Sequence, residues 1–159
     1  MEPPSSRHIT VLNQSSRRVR VGALKHAVSV ALSQHGMKGA KACVLVTTDE
    51  EIQSLNRRFR GIDDATDVLT FPSGDVPPEP LGDIAISLPY AERQAAARGV
   101  DLDTELGFLA IHGALHLAGL DDETEVDRAH MVQEMNRAAI AAGLPADEAW
   151  ASILHAEVA

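Results

Sequence analysis

The sequence predicts an α+β fold in which a small, mostly four-stranded sheet is covered by about five helices. Segments with the alternation typical of strands are concentrated in the first half of the chain, whereas the second half has helical periodicity. The length of 159 residues fits one domain with one core, and we expect residues 1–159 to form it. Apolar residues make up 45% of the chain and charged residues 23%, proportions that argue against a disordered or membrane-spanning protein.

The first half of the chain is predicted to alternate short strands with helices. Residues 8–13 alternate apolar and polar side chains, which predicts a strand. Apolar residues at helical spacing predict a helix over residues 21–35. Residues 41–47 form an apolar, β-branched run that is typical of a buried strand. A capping box that starts at Thr48 then begins a second helix, which is expected to end near Gly61.

The rest of the chain is predicted to add two strands and then only helices. A third strand is predicted over residues 67–71, where Pro72 stops it, and a Pro-rich loop over residues 73–80 separates it from a fourth strand over residues 82–88. Helical spacing and stop signals then predict helices over residues 89–98, 103–118 and 123–142, and a short C-terminal helix around Trp150.

A pair of histidines suggests a metal site. His112 and His116 lie four residues apart on a predicted helix, a spacing that places their side chains on one face about 5–6 Å apart, where both can bind one metal ion. Gly119 allows the chain to turn back, so that Asp121 or Asp122 can offer a carboxylate to the same ion. The pattern HxxxHxxGxxD is similar to the metzincin arrangement. Three protein ligands with an open fourth position are typical of catalytic zinc.

Other roles remain open for these residues. Histidines at this spacing also occur without a metal, and Asp122 has capping-box spacing with Glu125, which would make it the N-cap of the next helix instead. His130 is then the alternative third ligand. Position 113 is Gly, where the metalloprotease signature has the Glu that acts as general base, so a peptidase of that mechanism is not expected. A mid-helix Gly costs about 1 kcal/mol relative to Ala, which indicates close packing at this point.

Three stretches of the sequence form recognisable motifs. Residues 112–122 read HGALHLAGLDD, residues 55–61 and 66–72 read LNRRFRG and TDVLTFP, and residues 81–87 read LGDIAIS. They resemble the signatures HGxLHLxGxDH, LNxxyR…TDVLsFP and LGDIvIs of the YbeY family, whose members are bacterial metal-dependent endoribonucleases that act in ribosomal RNA maturation. The resemblance spans roughly residues 45–125 with the signatures in the family's order.

The resemblance also implies which residues form the site. It implies an α+β fold with a four-stranded sheet and one zinc ion per chain, with His112 and His116 as the first two ligands. The third ligand is a His in the family pattern, and Asp122 occupies that position here. A carboxylate can bind zinc, but its negative charge makes the metal a weaker Lewis acid. Arg60 matches an arginine of the second signature and is implied to stabilise the scissile phosphate, although it could also be a solvated charge at a helix end.

The function that the resemblance implies is that of a zinc-dependent endoribonuclease specific for single-stranded RNA, acting in ribosomal RNA processing, maturation and quality control. The implied partners are this RNA, the small ribosomal subunit with its proteins, and an assembly GTPase. One alternative is a ribosome-assembly binding factor with a mainly structural metal, and another is a divergent metallopeptidase. The N-terminus has no signal-peptide pattern and the single Cys43 cannot form an internal disulfide, so we expect a cytoplasmic location and no membrane partner.

The charge of the chain is distributed unevenly. A net charge of −9 would by itself argue against a nucleic-acid partner. Residues 1–60, however, contain ten basic and four acidic side chains, a net charge of +6, and the remaining residues carry −15. This division is compatible with a basic groove that the N-terminal half forms and that faces RNA. We therefore expect positive potential on the Arg60 side of the metal cleft.

Overall fold

The computed structural model describes residues 8–73 and 81–150, and these contain four strands and five helices. The strands are β1 (Ile9–Asn13), β2 (Ala42–Thr47), β3 (Val68–Pro72) and β4 (Gly82–Ser87). The helices are α1 (Val21–Ser33), α2 (Asp49–Arg60), α3 (Leu88–Arg98), α4 (Leu102–Leu117) and α5 (Glu125–Ala141). The predicted α+β fold is therefore confirmed. None of these helices has the length and hydrophobicity that crossing a bilayer requires.

Most predicted boundaries differ from the observed ones by one or two residues, and three of the differences concern residues to which a role was assigned from the sequence. Pro72 is the last residue of β3 rather than the residue that stops it, because an edge strand tolerates a missing N–H donor. The helix predicted to begin at residue 123 begins at Glu125, because the side chain of Thr124 caps it. Trp150 does not lie in a helix, since a turn precedes it, and the remainder of that predicted helix falls outside the described residues.

The four strands form one mixed sheet in the order β1-β2-β4-β3. β1, β2 and β4 are parallel, and β3 runs antiparallel to β4. Parallel neighbours need a crossover connection, which α1 provides between β1 and β2. Within the described part of the chain, β3 pairs on one side only and leaves its outer edge open.

Helices cover both faces of the sheet. Because side chains alternate along a strand, Ile84 and Ile86 of β4 lie in the main core, whereas Ala85 points to the other face. The main core includes buried residues of α1, α4 and α5. On the other face, Ile52 of α2 packs with Leu69 and Ala85. As a result, α2 and α4 lie on opposite faces of the sheet.

Helix α4 is the central helix of the core. Eleven of its sixteen residues are buried, as expected for a helix that is apolar on nearly all sides. Gly113 packs closely against the sheet, because a Cβ there would lie 2.6 Å from Ile84 Cγ2 and 3.3 Å from Thr70 Cγ2. The predicted close packing at this position is confirmed. For the same reason, the Glu of the metalloprotease signature could not be placed at position 113 without displacing the helix.

A buried polar network lies beside the N-terminal half of α4. The side chain of Glu105 is fully buried, and its carboxylate lies 3.1 Å from Arg98 Nε. It also accepts hydrogen bonds from Gln94 Nε2 at 3.1 Å and from Trp150 Nε1 at 3.3 Å. Arg98 is 7% exposed and makes a second ion pair with Asp147. The network therefore ties α3 and the segment after α5 to α4.

This network predicts a pH dependence of stability. Burial raises the pKa of Glu105 to about 7, although the adjacent Arg98 lowers it. The folded protein therefore binds this proton more tightly than the unfolded chain, and the resulting stability is complete below the ordinary Glu pKa and lost as the pH rises through about 7. The contribution amounts to at most about 3 kcal/mol in the free energy of unfolding.

Glu105→Gln isolates this contribution, because glutamine has nearly the same shape and does not titrate. Urea unfolding at about pH 5 and about pH 8 is expected to show a larger loss of stability with rising pH in the wild type than in the variant. Identical pH dependence in the two proteins would show that the proton of Glu105 does not contribute.

Candidate metal centre

The end of α4 positions the two predicted histidine ligands and reverses the chain behind them. After the last helical residue, Leu117, Gly119 adopts φ +103°, and the backbone N–H of Leu120 donates to the carbonyl of Leu115 at 2.9 Å. This hydrogen-bond pattern is the Schellman motif, which favours glycine because the turn needs a positive φ. The predicted role of Gly119 is confirmed, and the turn brings residues 120–122 back toward the histidines.

Three side chains converge at this turn. His112 Nε2 lies 3.1 Å from His116 Nε2, and Asp122 Oδ2 lies 3.4 Å from each of these nitrogens. Across residues 8–73 and 81–150, this is the one group of three potential metal ligands whose atoms lie within 4.8 Å of one another. The residues singled out from the histidine spacing are thus brought together by the fold.

The orientation of His116 follows from its backbone partner. Its Nδ1 lies 3.0 Å from the carbonyl oxygen of Leu120, which can only accept a hydrogen bond. In the neutral ring the proton therefore belongs on Nδ1, and the lone pair of Nε2 points toward His112 and Asp122. A hydrogen bond from the second ring nitrogen is the usual way in which proteins orient a metal-binding histidine.

The electrostatics of the cluster favour a positive charge at its centre. The hydrogen bond with Asp122 raises the pKa of His116, against the opposing effect of burial. Hydrogen bonds with His112 and then with His116 hold the pKa of Asp122 well below its usual range. An ionised carboxylate beside two imidazoles attracts positive charge to the space between the three atoms, either as a proton on a ring nitrogen or as a bound cation that replaces it.

The dimensions of the cluster fit a zinc ion. Ligands bound tetrahedrally at about 2.0–2.1 Å lie about 3.3–3.4 Å from one another, close to the separations found here. Two imidazole nitrogens and one carboxylate oxygen also form a donor set that zinc accepts. The side chains of His112, His116 and Asp122 are 13%, 24% and 37% exposed, respectively. The cluster is therefore reached from solvent on one side, as a catalytic site requires.

The geometry also separates the alternative third ligands. Asp121 accepts a hydrogen bond from the backbone N–H of Asp122 at 2.7 Å and is not a member of the cluster. The hypothesis that Asp122 caps the next helix is wrong, because Thr124 is the N-cap of α5. His130 is exposed on α5 and also lies outside the cluster. Asp122 is the third ligand that the geometry favours.

The surroundings of His112 include residues that were not identified from the sequence. The ring of Trp150 lies 5.3 Å from the ring of His112, centroid to centroid, and Met135 Sδ lies 3.4 Å from His112 Nδ1. Trp150 is itself held by Glu105 and stacks on Phe108 at a centroid distance of 6.3 Å. These contacts restrict the ring of His112. The only sequence signal was that Trp150 is the single tryptophan of the chain.

Arg60, which the resemblance implied to stabilise the scissile phosphate and which could also be a solvated charge at a helix end, lies on the helix that covers the sheet face opposite α4. It is the last residue of α2 and is exposed. Because α2 and α4 cover opposite faces of the sheet, the fold does not bring Arg60 into the cluster formed around α4. Any contact of Arg60 with a substrate would have to involve a ligand that extends beyond the metal centre.

Comparison with known proteins finds a family model and several relatives that share one description. The family model described as Endoribonuclease YbeY matches residues 10–142. A protein named Endoribonuclease YbeY from Desulforamulus reducens is 43% identical over 120 residues, covering 70% of this chain and 78% of the relative. The protein of that name from Thermus thermophilus is 43% identical over 122 residues, covering 74% and 87%. The solution structure of TM1509 from Thermotoga maritima matches with a TM-score of 0.62 and 28% identity, over 84% of this chain and 88% of that one.

Proposed function

Since the chain belongs to the YbeY endoribonuclease family, we propose that it is a hydrolase that cuts phosphodiester bonds of single-stranded RNA and uses one zinc ion bound by His112, His116 and Asp122. The observation that carries this proposal is the convergence of three acceptor atoms, 3.1–3.4 Å apart, on a partly exposed turn. Phosphodiester hydrolysis needs a centre of positive charge beside the scissile phosphate, and these three side chains are arranged to hold one.

The residues of this chain have separate tasks in the proposed reaction. When bound, zinc supplies Lewis-acid stabilisation of the charge that develops on the phosphate. The carbonyl of Leu120 keeps the Nε2 lone pair of His116 directed at the site. Asp122 adds a negative charge that strengthens metal binding but leaves a weaker Lewis acid than a third histidine would. Arg60 is proposed to hold a phosphate of the RNA by bidentate hydrogen bonds.

The proposed function also includes a class of RNA, a cellular location and partners. We assign the activity to the processing and quality control of ribosomal RNA in the cytoplasm, with the small ribosomal subunit, its proteins and an assembly GTPase as partners. The whole chain, residues 1–159, is proposed to act as one catalytic domain, since the described helices pack on a single sheet. A peptidase is disfavoured because Gly113 leaves no room for the general base of that mechanism.

The experiment that tests the proposal is cleavage of a labelled single-stranded RNA by protein loaded with zinc. We expect chelation to abolish cleavage, re-addition of zinc to restore it, and a duplex of the same sequence to be cut far more slowly. If the metal-free protein still folds, as judged by circular dichroism, the metal serves catalysis rather than structure alone. Full cleavage activity of a verified metal-free protein would refute the proposed function.

A further inference from the structure

The C-terminal end of α2 carries an exposed aromatic ring. All five aromatic residues of the chain fall within the described residues, and four of them are buried or half-buried. Phe59 is the exception, with 65% of its surface exposed. A single exposed apolar side chain is common on protein surfaces, so the exposure of Phe59 gains significance only from the groups around it.

The ring of Phe59 packs against a side chain of strand β3. The edge of Phe59 contacts Phe71 of β3 at a centroid distance of 5.3 Å and an interplanar angle of 66°. Phe71 itself packs against the small core between α2 and the sheet. The ring of Phe59 is therefore supported by a rigid strand while much of its surface remains in contact with solvent.

Three arginines lie on the same turn of α2 as the exposed ring. Arg57, Arg58 and Arg60 occupy the last turn of α2, and the guanidinium carbon of Arg58 lies 5.6 Å from the centre of the Phe59 ring. Among the described residues, Arg57 has an acidic partner within 4.0 Å, the exposed Asp63, whereas Arg58 and Arg60 have no acidic group at that distance. In a chain with a net charge of −9, this turn concentrates positive charge beside an aromatic surface.

The ring of Phe59 and the candidate metal centre lie on opposite faces of the sheet. Phe59 packs against Phe71 of β3. The preceding residue of the strand, Thr70, points to the opposite face of the sheet, where a Cβ at Gly113 would lie 3.3 Å from Thr70 Cγ2. Gly113 directly follows His112 in α4. Both features thus flank the edge strand β3, one on each face of the sheet. Among the described strands the outer edge of β3 is unpaired. A flexible single strand that passed around this edge could contact both surfaces, whereas a rigid duplex could not bend so sharply.

We propose that Phe59, with Arg58 beside it, is a base-stacking subsite that binds an unpaired base of the RNA outside the bond that is cut. The proposal rests on the proposed function, since it names where that enzyme holds its substrate. Unpaired bases stack on exposed aromatic rings, and adjacent arginines neutralise the phosphates between them. This combination of ring and charge favours RNA over an apolar protein partner, which would have to desolvate the arginines.

The test compares Phe59→Ala and Phe59→Tyr with the wild type. In the presence of chelator, we expect Phe59→Ala to bind single-stranded oligouridine about 10-fold more weakly in fluorescence anisotropy, and Phe59→Tyr to bind like the wild type. With zinc, KM for a single-stranded RNA should rise by a similar factor in Phe59→Ala while kcat changes little, because the subsite lies away from the reacting bond. Ile140→Ala is the matched control, since Ile140 is also exposed, at 62%, but lies on α5.

A series of RNAs with one abasic position each gives a second readout. At one position, loss of the base should weaken binding to the wild type but not to Phe59→Ala, because the two changes remove the same contact. If the wild type cuts RNA and Phe59→Ala binds and cuts it equally well, the subsite is refuted while the proposed function stands. If the wild type neither binds nor cuts RNA, the proposed function itself fails. Unchanged RNA binding together with loss of self-association in sedimentation would assign the ring to an interface between copies, and would also refute the subsite.

Discussion

His116→Ala is expected to reduce the rate of single-stranded RNA cleavage by at least about 100-fold. The substitution removes one of three converging ligand atoms and leaves two that cannot hold zinc tightly. It also removes the ring that the Leu120 carbonyl orients at 3.0 Å, and the described residues contain no second group of three ligands that could bind the ion instead. The measurement is the initial rate of cleavage of a labelled oligonucleotide at saturating RNA, with zinc supplied in excess of protein.

His130→Ala is the matched control for this variant. His130 is exposed on α5 and outside the cluster, so its removal is expected to leave the rate within about twofold of the wild type. Circular dichroism and the midpoint of urea unfolding should show that both variants fold. Loss of activity in His130→Ala with retention in His116→Ala would mean that the wrong histidine has been assigned to the metal.

Trp150→Ala is expected to lower the free energy of unfolding by about 3–5 kcal/mol. Trp150 is 5% exposed and fills the space between Phe108, His112 and the guanidinium of Arg98. Its removal leaves a cavity and withdraws an N–H donor from the buried carboxylate of Glu105. Because the ring also restricts His112, zinc affinity should fall together with stability. Urea unfolding and competition with a chromogenic chelator measure the two effects.

Trp150→Phe separates the contribution of the ring from that of its N–H group. Phenylalanine retains most of the stacking on Phe108 but cannot donate to Glu105, so we expect a loss of only about 1 kcal/mol. A cost below about 1 kcal/mol for Trp150→Ala would contradict the packing described here. Normal zinc affinity in a destabilised Trp150→Ala protein would show that His112 does not depend on this support.

Most of the fold could be predicted because its elements have strong local signals. The capping box that starts at Thr48 and the terminal Gly61 define α2 at both ends, and the hydrogen bond from the Glu51 N–H to the Thr48 hydroxyl is present at 3.2 Å. The start of α5 was placed too early, because Asp122 and Thr124 both have side chains suited to a cap. Only the tertiary structure shows that Asp122 turns toward the histidines, which leaves Thr124 to cap the helix.

The candidate site could be predicted in part for the same reason. His112 and His116 are neighbours on one helix and Asp122 follows a single turn, so their spacing contains most of the geometry. The contact of His112 with Trp150 joins residues far apart in sequence, and no periodicity signals it. The placement of Arg60 on the sheet face opposite α4 also follows only from the assembled sheet.

The metal content of the wild type and of Asp122→Ala, each purified without chelator and analysed by mass spectrometry, tests the metal site most directly. We expect close to one zinc ion per chain in the wild type and little or none in Asp122→Ala, since two histidines alone bind zinc weakly. Zinc retained at full stoichiometry by Asp122→Ala, or a wild type that takes up no metal when zinc is supplied, would contradict the assignment of His112, His116 and Asp122 as the metal ligands.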